Sequence, residues 1–86
     1  DESAFDGLIK FKEKEKKKYL DQAISHLDEA DQLLITLYYM DDQPVDEIAS
    51  ITGLTDSNVK VRLFSARKKI ADQLQISLKS ELQSIL

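Results

Sequence analysis

The sequence predicts an all-α protein, a small bundle of about four helices that contains a helix-turn-helix over about residues 45–70. Three observations lead there. Apolar residues recur at the three- and four-residue spacing of amphipathic helices. Helix punctuation falls between those runs, with Asp28 and Thr55 placed as N-caps and Gly53 as a C-terminal stop. The length of 86 residues then confines the chain to one small domain with a modest core.

In chain order, "KFKEKEKKKYL" is low-complexity Lys/Glu sequence, and residues 1–18 read as a linker or a solvated helical lead-in. Phe5, Leu8 and Ile9 are apolar enough to dock, at a place the sequence does not specify. The domain itself is expected over 19–75. Leu20, Ile24 and Leu27 form one apolar stripe, and Leu33, Leu34, Leu37 and Tyr38 a second. Asp28 caps the second helix, with Glu29 and Asp31 in the first turn, where the helix dipole favours negative charge and the acids are expected to be solvated. "MDDQP" ends that helix, and Pro44 suits the first turn of the next. The third helix, Pro44–Thr52, has Val45, Ile48, Ala49 and Ile51 as its apolar set. Gly53 stops it, since glycine takes the left-handed conformation of a tight C-terminal turn. Thr55 caps a fourth helix from about Asp56 to at least Leu74, followed by a helical tail over 76–86. Ile70, Leu74, Leu78, Leu82 and Ile85 recur mostly every fourth residue. A leucine-zipper reading fails, because counting sevens from Arg67 gives Leu74 and then Glu81, so no heptad seam survives.

Several function classes are excluded early. There is no cysteine, hence no disulfide framework and no Cys-based metal site. His26 is the only histidine and lacks the second ligand or clustered carboxylates that a metal or acid–base site needs. No nucleophile–base pair or phosphate-cradling glycine loop is present, so the protein is not expected to be an enzyme or to carry a cofactor. No apolar run is long enough to span a bilayer, so no membrane insertion is expected and the chain reads as cytoplasmic. It begins with Asp1 rather than Met, and is expected to be a piece of something longer.

The net charge of −4 conceals segregation along the chain. Residues 20–59 hold nine acids and no Lys or Arg, whereas 60–69 carry +5. A phosphate backbone responds to the local patch, so the acidic average is a poor guide to nucleic-acid binding. The basic run lies in "SNVKVRLFSARKKI", Ser57–Ile70, five positive charges with no negative one.

In "VDEIASITGLTDSNVKVRL", Ile48 and Ala49 are followed by Gly53, Leu54 and Val59 at helix-turn-helix spacing. Two helices crossing steeply need a small side chain at the contact, a glycine in the turn and apolar residues from both helices. Such a unit is either a structural helix pair or a DNA reader, and a basic second helix favours the reader.

The run "DEIASITGLTDSNVKVRLFSARKKI" resembles region 4 of bacterial RNA polymerase sigma factors, most closely the extracytoplasmic-function (ECF) group, with its pattern E-I-A-x-x-x-G-x-[ST]-x-x-x-V-K-x-R-L-x-R-A-R. The preceding "LDEADQLLITLYYMDDQPV" fits as well, and the resemblance covers about Leu20–Leu74. It implies a four-helix domain that reads the −35 promoter element in the major groove and docks on the flap of the polymerase β subunit. It also implies that an anti-sigma protein sequesters the domain. Ser65 stands where the family often has Arg, and no stretch resembles region 2, the part that binds the polymerase clamp and melts the −10 element.

Placing residues at about 100° intervals around the fourth helix puts Val59, Leu63, Ala66 and Ile70 on one side. Ser57, Val61, Phe64 and Lys68 lie opposite, flanked by Lys60 and Arg67 on one side and by Asn58, Arg62, Ser65 and Lys69 on the other. Two apolar side chains thus stand in a basic outer face. In a groove, Arg and Lys reach phosphates or guanine, Asn58 an adenine edge or a phosphate, and Val61 or Phe64 a thymine methyl. Ser57 and Asn58 suit phosphate anchoring at the helix N-terminus. Alternatively the tail or a dimer partner covers Val61 and Phe64. The residues alone leave both open, and the resemblance favours the groove. The candidate DNA contacts are therefore Ser57, Asn58, Lys60, Val61, Arg62, Phe64, Ser65, Arg67 and Lys68.

Tyr38, Tyr39 and Met40 cannot all face inward, and read either as core and rim or as an apolar partner surface. Three function classes follow: the promoter-binding module of an ECF sigma factor, the output domain of a response-regulator-like activator, or a protein-interaction domain without DNA binding. "RLFSARKK" favours the first over the second. The oligomeric state is left open.

Overall fold

The computed structural model describes residues 11–85, with side chains through Ser80. Among these residues the chain is helical and contains no strand, as the sequence predicts: α1 Glu13–Ser25, α2 Glu29–Ile35, α3 Val45–Thr52 and α4 Asp56–Ile85, with α2 running on into a π-helical turn, Thr36–Met40. The expectations for Phe5, Leu8 and Ile9, and for the side chains of Leu82 and Ile85, lie outside the described residues. The chain divides into two compact units, residues 27–67 and residues up to 26 together with those from 68 onward.

Unit 27–67 is built on its caps. The Asp28 carboxylate accepts from the Asp31 amide at 2.8 Å, satisfying a donor that the first turn of α2 leaves unpaired. The buried positions of α2 are then Asp31, Leu34 and Ile35, the i, i+3, i+4 set of one helical face. This corrects the expected stripe. Leu33 is 48% exposed and Tyr38 is also exposed, while Ile35, absent from the expected set, is buried. The apolar run 33–35 fits more than one helical phase, and the fold adopts the one that buries Leu34 and Ile35 on the same face as Asp31. Beyond Ile35 the backbone widens: the Asp41 amide donates to the Thr36 carbonyl at 3.1 Å and the Gln43 amide to the Leu37 carbonyl at 2.9 Å. A wider turn moves each later side chain off the α-helical phase, leaving Leu37 half-buried and Tyr39 and Met40 exposed. Asp42 then turns the chain at φ 52°, a left-handed conformation that aspartate tolerates better than most residues.

Pro44 is the N-cap of α3, and Val45 opens the helix. Ile48 and Ala49 are buried, whereas Ile51, expected inside, is exposed. At the far end the Thr52 hydroxyl donates back to the Ile48 carbonyl at 2.7 Å. Gly53 follows at φ 77°, its amide donating to the Ala49 carbonyl at 2.8 Å, which is the expected stop. The Thr55 hydroxyl accepts from the Asn58 amide at 3.1 Å and so caps α4 as expected.

In the other unit, α1 carries exposed i,i+3 and i,i+4 pairs, Lys16–Glu13 at 2.9 Å and Lys17–Asp21 at 3.1 Å. These keep a lysine-rich helix solvated and add little stability. Phe11 meets Tyr19 edge-on, with ring centroids 5.1 Å apart. The buried residue of α1 is Ala23, with Leu20 and Ile24 only half-buried, and Leu27 lies beyond the end of the helix. Ile70, Ala71 and Leu74 are the buried positions that α4 contributes to this unit. No helix among the described residues is long and apolar enough to cross a membrane.

Candidate nucleic-acid interface

The Gly53 turn and the Thr55 cap fix where α4 starts, and that start sets the phase of every residue after it. Within unit 27–67, Val59, Leu63 and Ala66 recur at i, i+4 and i+7 and are all buried. The opposite face is open: Val61 is 66% exposed and Phe64 is 75% exposed. Ser57, Asn58, Lys60, Ser65 and Arg67 are exposed around them. Lys68, the next residue of the helix, belongs to the other unit and is also exposed.

Two exposed apolar side chains thus stand together amid cations and small polar groups on one face of α4. Its chemistry suits a duplex groove. Cations supply attraction to phosphate, and Phe64 and Val61 supply the apolar surface that complements a thymine methyl. The first turn of α4 presents backbone amides beside Ser57 and Asn58; that of Asn58 is already taken by Thr55.

Two of the nine candidate residues are engaged within the protein. The Arg62 guanidinium lies 3.2 Å from a carboxylate oxygen of Asp31, and its side chain is 38% exposed, less than its neighbours on the outer face. Asp31 is buried, with only 5% of its side chain exposed, so the expectation of a solvated acid there is corrected. A buried carboxylate needs a cation, and Arg62 supplies it across 31 residues of sequence. Arg67 lies over the ring of Tyr39, 5.9 Å from its centroid, and Tyr39 meets Tyr38 edge-on with centroids 4.9 Å apart. The π-helical turn thus presents an aromatic pair beside the outer face of α4.

Asp31 is the residue that sequence reading missed. The available signal was its place on the same helical face as Leu34 and Ile35, three and four residues on. Among the described residues no cluster of acids and histidine could hold a metal ion.

Comparison with known families returns a model described as Sigma-70, region 4, which matches residues 17–70. The chain belongs to that family. The match takes in most of α1, all of α2, the π-helical turn, α3 and the part of α4 that carries the outer face. No curated protein and no solved structure matched the chain. Sigma region 4 is a DNA-binding domain of a transcription initiation factor, and the family gives DNA and RNA polymerase as the partner classes of the domain.

Proposed function

We propose that this region 4 is of the ECF type, that it reads the −35 promoter element, and that α4 enters the major groove to do so. Phe64 and Val61 meet base edges there, with Ser65 and Asn58 beside them, and Lys60, Arg67 and Lys68 hold phosphates. Ser57 anchors the strand at the N-terminus of α4. One observation carries the reading: the outer face of α4 places Phe64, 75% exposed, and Val61, 66% exposed, among cations while the opposite face is buried. The ECF assignment rests on the V-K-x-R-L and A-R elements at their spacing from E-I-A and the glycine. The flap of the polymerase β subunit is the proposed docking partner, with an anti-sigma protein as a competitor. Leu33, Tyr39 and Met40, all exposed and apolar, are the proposed contact surface. The compartment is the cytoplasm, where polymerase and promoter meet.

A domain of this size with three or four phosphate contacts gives a salt slope of roughly −3 to −4, and its affinity alone is weak at physiological salt. Tethering to polymerase raises its effective concentration, and avidity gains of about 10²–10⁴ need no new contacts.

The test is selection from a duplex library randomised over a short window, followed by salt titration of the enriched duplex with the native chain and Lys60→Ala. One sequence family should be enriched, and Lys60→Ala should reduce the slope by about 0.9. Grafting the chain in place of region 4 of an ECF sigma factor should then direct transcription from promoters carrying that sequence at −35. No enriched sequence together with a flat salt response would sink the DNA reading; enrichment without −35-dependent transcription would sink the promoter assignment.

A further inference from the structure

Arg62 lies in the most basic stretch of the chain, on the helix that carries the outer face, yet its guanidinium points to a carboxylate on α2. The buried side chains of Val59, Leu63 and Ala66 hold α4 down through apolar contact, which is non-directional. A charge-assisted hydrogen bond is directional. The Asp31–Arg62 pair joins the first turn of α2 to the middle of the outward-reading stretch of α4, between Val61 and Leu63. Asp31 is itself held at that turn, its amide donating to Asp28.

We propose that Arg62 is a positioning residue: paired with Asp31, it fixes the rotation of α4 and thereby aims Val61 and Phe64, and it is not a phosphate contact. The inference rests on the DNA reading above. A carboxylate 3.2 Å from the guanidinium compensates its charge within the fold and weakens its pull on phosphate. A helical side-chain tip lies about 5–6 Å from the axis, so a rotation of about 30° sweeps it roughly 3 Å. That distance is a hydrogen-bond length, enough to take Phe64 off a thymine methyl while leaving general backbone attraction in place.

The test compares the native chain, Lys60→Ala, Arg62→Ala and the double variant Asp31→Leu with Arg62→Leu. The probes are a mixed-sequence duplex for the salt slope and the enriched duplex against its scramble for discrimination. Arg62→Ala leaves Asp31 buried without this cation and is expected to melt early; the apolar double variant restores the fold and keeps the measurement possible. Its salt slope should stay within about 0.3 of native while Lys60→Ala loses about 0.9. Its discrimination between enriched and scrambled duplex should fall about tenfold. A double variant whose slope falls by about 0.9 overturns the inference, since Arg62 would then be a phosphate contact. Unchanged discrimination overturns it too, because the pair would then not aim the helix. A native chain with no salt-dependent binding instead overturns the DNA reading itself, which separates the two failures.

Discussion

Replacing Phe64 by alanine separates a reading side chain from a core one, because the two roles predict opposite losses. The ring is 75% exposed, so about a quarter of the roughly 150–250 Å² that a buried phenylalanine removes from water is at stake, about 50 Å². At about 25 cal/mol per Å² that is about 1 kcal/mol, an upper figure because unfolded chains already bury part of their apolar surface. Alanine is the better helix former and returns a few tenths of a kcal/mol, leaving a net loss of about 0.5 kcal/mol. For a chain of this length the melting temperature should fall by only about 2–4 °C, read by circular dichroism. In DNA competition the variant should lose about 1 kcal/mol of preference at one base pair, roughly fivefold, with its salt slope intact. A fall of about 10 °C or more would mean that something covers the ring. Unaltered site preference with the melt preserved would mean that the ring reads no base.

Three further substitutions address the scaffold. Ile48→Ala removes a fully buried side chain of α3 and should cost about 2–5 kcal/mol, enough to abolish a cooperative melt in a domain whose core supplies only about 3–5 kcal/mol. Gly53→Ala should cost about 1–2 kcal/mol through φ alone, since an added Cβ meets no atom within 4 Å, and Gly53→Asn should lose less. Both are checked by urea titration. Asp28→Ala removes the cap on the Asp31 amide and should cost about 1 kcal/mol, whereas Asp28→Ser should nearly preserve the native midpoint.

The elements set by local chemistry were legible in the sequence. Gly53, Thr55 and Asp28 act within a few residues of themselves, so their types and spacing identified the stops and caps that the structure contains. The inner and outer faces of α4 were legible for the same reason, because a regular helix of known start carries its phase forward. Legibility failed where phase was ambiguous or was reset. The apolar run 33–35 admits more than one stripe, and the wider backbone after Ile35 shifts Tyr38 and Tyr39 in a way that a 3.6-residue period does not anticipate.

By itself, then, the sequence determined an all-helical chain, the positions of its caps and turns, and a two-faced basic helix with Phe64 and Val61 outward, since each of these follows from backbone preferences and spacing along one segment. Only the tertiary structure decided which cations of that helix remain turned outward. Asp31 and Arg62 lie far apart in sequence, and an acid on α2 looks solvated until its neighbours are in place. Burial then makes pairing valuable to the carboxylate, and Arg62, legible as one more basic residue of a two-faced helix, is a cation that the fold brings to it.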